Sequence, residues 1–151
     1  MAKHNELGKQ GEDAAVEFLQ TKGHEILIRN YRFKKAEVDV ISKDGNMIVF
    51  TEVKTRSNDA FGNPEEFVNK KKRILMKQAA DEYMFQQKLD VEFRFDILSV
   101  SSENGKLKIY HIKDAFFHEE DDKYNWILPV ADLQKFLLFK MFFPVSFTVV
   151  H

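Results

Sequence analysis

Apolar residues at Leu7, Ala14, Ala15, Phe18 and Leu19 recur at spacings near three and four, so residues 5 to 22 predict an amphipathic helix that stops at Gly23. Glu12 falls on its polar face. The period changes to two in HEILIRNYRF, where Ile26 and Ile28 alternate with Leu27 and Arg29, the pattern of a first strand. AEVDVIS and NMIVFTEVKT follow as second and third strands about the Asp44-Gly45 turn signal. A second helix is predicted from Pro64 to about Lys88, with Pro64 at an early helical position, Glu65 and Glu66 in the first turn, and Phe67, Ile74, Leu75, Ala79 and Tyr83 as its apolar stripe. VEFRFDILSVS and KLKIYHI close the pattern as a last strand pair around Asn104-Gly105. The order αβββαββ predicts a mixed α/β domain with one sheet and flanking helices.

One stretch breaks the apolar logic. AEVDVISKDGNMIVFTEVKTR places Asp39, Glu52 and Lys54 among Val38, Val40, Ile48, Val49, Phe50 and Val53, which are apolar on both faces, as in a central strand covered twice. Side chains two apart share a face of a strand. A two-residue loop at Asp44-Gly45 opposes Asp39 to Phe50, and a four-residue loop through Met47 opposes it to Glu52. Either register puts Asp39, Glu52 and Lys54 on one face, and the same period adds Glu37. Adjacent carboxylates repel, and burial makes ionising both costly unless a lysine or a cation compensates. The bland alternative is a solvated hairpin with Asp39 at a strand edge paired to Lys54. A hard divalent ion such as Mg²⁺ is the chemical alternative, since it takes oxygen ligands and retains waters.

Composition narrows the classes. The chain has 151 residues, 44% of them hydrophobic and 31% charged, which suits one globular domain with an appendage and argues against a two-domain enzyme. A formal net charge of -1 gives no global attraction to nucleic acid or to an anionic membrane, so such a partner requires local patches. The absence of Cys excludes disulfides, thiolate zinc sites and cysteine nucleophiles. The five His show no zinc-ligand spacing. No secretory apolar run opens the chain, and the expected location is the cytoplasm.

The motifs together carry a resemblance. GKQGEDAAVEFL, GHEILIRNYR, AEVDVIS, VFTEVKTR and RFDILSV resemble the bacterial YraN family, within the PD-(D/E)xK nuclease superfamily and similar to archaeal Holliday-junction resolvases. The likeness runs from about residue 5 to 117. It implies a restriction-endonuclease-like fold, a Mg²⁺ or Mn²⁺ cofactor, Asp39 and Glu52 as metal ligands with the Val53 carbonyl, Lys54 as the catalytic lysine, and Glu12 as the helix carboxylate completing the site. Glu37 ranks behind these as a residue acting through water or substrate. Ala36 departs from the family, which has Gly there.

The implied substrate is nucleic acid, DNA before RNA, in branched or flapped form. Arg29, Arg32, Lys34 and Lys35, interleaved with Tyr31 and Phe33, form one candidate phosphate-binding run, Lys70 to Arg73 another, and Arg56 lies beside the acids. Residues 57 to 63 read as a connector that could cover substrate. Beyond the nuclease-like residues 1–117, residues 118–151 form a Phe-rich extension, too short and too interrupted by Lys140 and Pro144 for a membrane span. Sheet packing, a homodimer contact and a partner groove all remain open for it. Two further classes stand beside the nuclease: a nucleic-acid-binding module with little catalysis, and an interaction protein acting through the apolar tail.

Overall fold

A computed structural model describes residues 2–56, 68–103 and 106–116 of the chain. The first helix, α1 (Ala2–Thr21), ends where Gly23 adopts φ +88°, a conformation that costs a residue without a Cβ little. The Gly23 and His24 N–H groups then bond back to the Gln20 and Leu19 carbonyls, closing the helix end with paired bonds. Three strands follow as a meander: β1 (Glu25–Phe33), β2 (Ala36–Asp44) and β3 (Met47–Arg56). The helix α2 (Lys70–Gln86) leads to β4 (Phe93–Glu103) and β5 (Lys106–Ile112).

The five strands lie in chain order, β1-β2-β3-β4-β5. Neighbours are antiparallel except β3 and β4, which are parallel and therefore need the crossover that carries α2. This is the mixed α/β architecture expected from the pattern, and the restriction-endonuclease-like fold that the resemblance implies. β3 is the central strand, and both of its faces are covered. Ile48 and Phe50 pack under α2 with Met76, Ala79, Ala80, Phe95 and Ile97. Val53 packs on the opposite face with Ala15 and Leu19 of α1 and with Val40, Leu98 and Val100. Phe50 meets Tyr83 and Phe93 edge-on at centroid separations of 5.8 and 5.7 Å, which locks the α2 face about β3.

Two boundaries differ from the sequence pattern. α2 does not run on from residues before it, because Asn69 sits in an extended conformation and its side chain accepts the Lys72 N–H at 3.0 Å. The Asn69 cap sets the start of α2 at Lys70, since it satisfies a donor that the helix itself cannot. Pro64 to Phe67, the connector at 57 to 63 and the extension 118–151 lie outside the described residues. β4 begins and ends two residues later than VEFRFDILSVS predicts, with Val91 left exposed ahead of it. Among the described residues, no helix is long and apolar enough to cross a membrane.

Candidate active site

The β2–β3 register decides what the acidic residues meet. Pairs run from Asp44↔Met47 to Val40↔Thr51, the register of the longer loop, although only Gly45 and Asn46 stand between the first pair. The ladder of pairs stops at Val40↔Thr51. Past that point an Asp39 carboxylate oxygen takes the Val53 N–H at 2.7 Å, so a side chain occupies a donor that a regular ladder would give to backbone. Val38 packs with the cluster under α2 and Val40 with the cluster under α1, so the alternation of β2 changes at Asp39. The carboxylate thereby stands where the two strands part.

Glu52 shares the α2 face with Phe50 and is only 3% exposed. A buried carboxylate demands compensation, and two ammonium groups supply it. Lys54 Nζ lies 2.7 Å from one Glu52 oxygen. Lys72 Nζ lies 2.8 Å from the other and donates to the Glu37 carbonyl at 2.9 Å. Burial pushes the Asp39 carboxyl up to about 7, with the Glu52 charge adding to the rise and Glu12 reinforcing it, while the Val53 N–H and the Lys72 charge act in the opposite direction.

Glu12 reaches this region from the other helix. A Cβ at Gly11 would overlap the Thr55 side chain, so the glycine lets α1 approach β3 closely and carries the next residue toward the strand opening. Its charge acts on Asp39, although among the described residues no three His, Asp or Glu side chains converge as a metal cage. A divalent ion at this opening would find hard oxygen donors in Asp39, Glu52 and the Val53 carbonyl, with waters for the remaining positions. That set suits Mg²⁺ or Mn²⁺ and not a soft metal.

The remaining expectations fare unevenly. Glu37 does not turn its carboxylate to the acid pair. Its oxygen accepts Arg32 Nη2 at 2.9 Å, because Arg32 is its cross-strand partner, and only its backbone carbonyl joins the site through Lys72. Arg29 pairs with Asp13, so the β1 run presents less free positive charge than its sequence suggests. Lys34 lies over the Phe33 ring at 5.1 Å. Within the second basic run, Arg73 donates to the Val68 carbonyl at 2.9 Å and stacks over Phe116, which makes it a structural residue at the start of α2. Lys72 points inward. Sequence reading placed it in a candidate phosphate-binding run, and the signal that relocates it is the Asn69 cap three residues earlier.

A second polar cluster lies on the α1 side. Asp96 is fully buried and is held by Arg94 Nε at 2.9 Å, by His111 Nε2 at 2.8 Å and by the Asp114 N–H at 2.9 Å. Burial alone would raise its carboxyl, but the bonds from His111, Arg94 and Asp114 outweigh burial and hold it below the usual range. Arg94 also pairs with Asp44, and Ser42 bonds His24 Nδ1 at 3.0 Å. Ser42 and the His24 side chain are sealed from solvent, so the cluster ties β2, β4 and β5 together and offers no reachable nucleophile.

The five-stranded mixed sheet with helices α1 and α2 defines a restriction-endonuclease-like α/β fold. The chain belongs to the family described as Uncharacterised protein family UPF0102, whose model matches residues 11–100. It is 52% identical over 118 residues to a UPF0102 protein of Christiangramia forsetii, a match covering 78% of this chain and 99% of the relative. A UPF0102 protein of Flavobacterium psychrophilum is 51% identical over 118 residues, again 78% of this chain and 99% of the relative. One of Bacteroides thetaiotaomicron is 49% identical over 117 residues, covering 78% and 97%. The matched segment holds Glu12, Asp39, Glu52, Lys54 and Lys72 together.

Proposed function

We propose that the protein is a metal-dependent endonuclease that hydrolyses phosphodiester bonds of DNA, with branched or flapped DNA first among its substrates. The observation that carries this reading is the buried Glu52 carboxylate beside Asp39 on the central strand, with the Lys54 ammonium 2.7 Å away. A chain that needed only a core would fill these positions with apolar residues, because even a compensated buried ion pair is at best weakly stabilising.

Asp39, Glu52 and the Val53 carbonyl would hold Mg²⁺ or Mn²⁺, and the bound ion would make water more acidic and offset charge on the phosphate oxygens. The chain's own residues do the rest. The Val53 N–H fixes the Asp39 carboxylate and leaves it little rotational freedom. The Lys54 side chain is 38% exposed, so its ammonium can leave Glu52 to orient the attacking water or to hold a non-bridging phosphate oxygen. Glu12 stands across the strand opening, where its charge favours proton retention on Asp39.

The test is a cleavage panel of single-stranded, duplex, flap and four-way DNA with Mg²⁺ and with Mn²⁺, run beside Asp39→Asn and Lys54→Met. The expected result is ion-dependent cleavage lowered by more than about a hundredfold in both variants. Salt-sensitive DNA binding without cleavage, undiminished in Asp39→Asn, would replace the nuclease by a binding module.

A further inference from the structure

Glu52 holds two ammonium groups, and they are not equivalent. Lys54 is two residues along the same strand, whereas Lys72 comes from the first turn of α2 and is anchored at its far side by the Glu37 carbonyl. The Lys72 ammonium is 2.8 Å from the second Glu52 oxygen but off that oxygen's hydrogen-bonding direction, so this buried oxygen has a charge beside it and no directed donor. An anchored lysine serves two acids here, because its charge also acts on Asp39. Its side chain is 25% exposed, which leaves it a route outward.

We infer that Lys72 is the built-in counter-cation of the Asp39 and Glu52 carboxylates, holding the place that a divalent ion would take, so that lysine and ion compete for Glu52. The inference rests on the metal reading above and adds to it a residue that keeps the acid pair tolerable in the ion-free protein. Lys72 gives up Glu52 when an ion binds, and its partly exposed side chain leaves the ammonium a way out. Mutual repulsion between a monovalent ammonium and a divalent ion a few ångströms apart favours the exchange.

The test reads ion binding and not catalysis. Lys72→Gln keeps a donor for the Glu37 carbonyl and removes the charge, and Lys72→Arg keeps the charge. Titration calorimetry with Mn²⁺ on the full chain at pH 8 is expected to show binding by the wild type that Asp39→Asn abolishes. Lys72→Gln is expected to bind about tenfold tighter, with Lys72→Arg unchanged. Binding by Lys72→Gln that is unchanged or weaker would overturn the inference while leaving the metal reading intact, since a lysine that merely orients Glu52 as a ligand gives that result. Should neither wild type nor Lys72→Gln bind Mn²⁺, the metal reading fails and this inference with it. Thermal melts of each variant with and without Mn²⁺ guard against a folding defect: tighter binding must appear as a larger ion-induced rise in Tm.

Discussion

Asp39 accepts the Val53 N–H at 2.7 Å across the point where β2 and β3 stop pairing. That single bond joins the two strands of the hairpin beyond their ladder and sets one carboxylate next to the other. Burial of that carboxylate, against which the bond acts, exposes the protein to pH. The Asp39 carboxyl rises from 3.8 to about 7, so its neutral form is favoured in the folded chain. Its contribution is therefore fully present below about pH 4 and is lost as the pH climbs to about 7. Asp39→Asn, which retains an acceptor for Val53, should gain stability over the wild type by on the order of 1.4 kcal/mol per pH unit in that window and stay level above it. Chemical denaturation at several pH values measures this, and a difference that shrinks with rising pH would contradict it.

Asp96 has the opposite sign. Its carboxyl is held below the usual range, so the stability it contributes is present above its unfolded value of 3.8 and disappears as the pH falls through the lowered folded value. Asp96→Ala strands Arg94, whose side chain is 14% exposed, together with His111, and should cost about 3–5 kcal/mol at neutral pH. Urea unfolding at pH 7 and pH 3 should show the variant and the wild type converging at the acid end.

The contact between Gly11 and Thr55 is steric. Gly11→Ala should destabilise by about 1–3 kcal/mol, because a Cβ there overlaps Thr55 Oγ1 and pushes α1 off the central strand. Thr55→Ala in the same chain should recover a large part of the loss. A double-mutant cycle with a coupling below about 0.5 kcal/mol would place the helix elsewhere.

Asn69 links a helix cap to the site, since it accepts the backbone N–H of the same Lys72 whose ammonium reaches Glu52. Asn69→Ala should lower stability by about 1 kcal/mol, while Asn69→Asp, which keeps the acceptor, should not. Thermal melts distinguish the two, and the Lys72 ammonium signal in NMR should broaden only in the alanine variant.

The hairpin was readable because strand period and burial agree there: the apolar residues on both faces of β3 announce a covered strand, and charges within it stand out. Lys72 was not readable in its role. In a run of lysines, only the cap that sets the helix start tells which one turns inward, and the helix predicted from Pro64 did not single out Asn69 as that cap. The Asp96 cluster was also hidden, because its members lie up to 50 positions apart, as with Arg94 on β4 and Asp44 on β2, and no local period joins them. Arg32 and Glu37 illustrate the converse error, where a residue of the basic run and one assigned to the acidic face proved to be cross-strand partners that neutralise each other.

The parallel pairing of β3 with β4 has a kinetic meaning. β1, β2 and β3 can find one another over short stretches of chain, but Ile48↔Phe93 and the pairs beyond it require a distant segment to be captured first. Closing so long a loop is slow relative to hairpin formation. Until β4 docks, β3 presents an open edge, and Asp39 and Glu52 remain wet and need no counter-cation. A late docking of β4 would dry the acid pair as α2 brings its lysine, so the electrostatic demand and its answer would arrive in a single event.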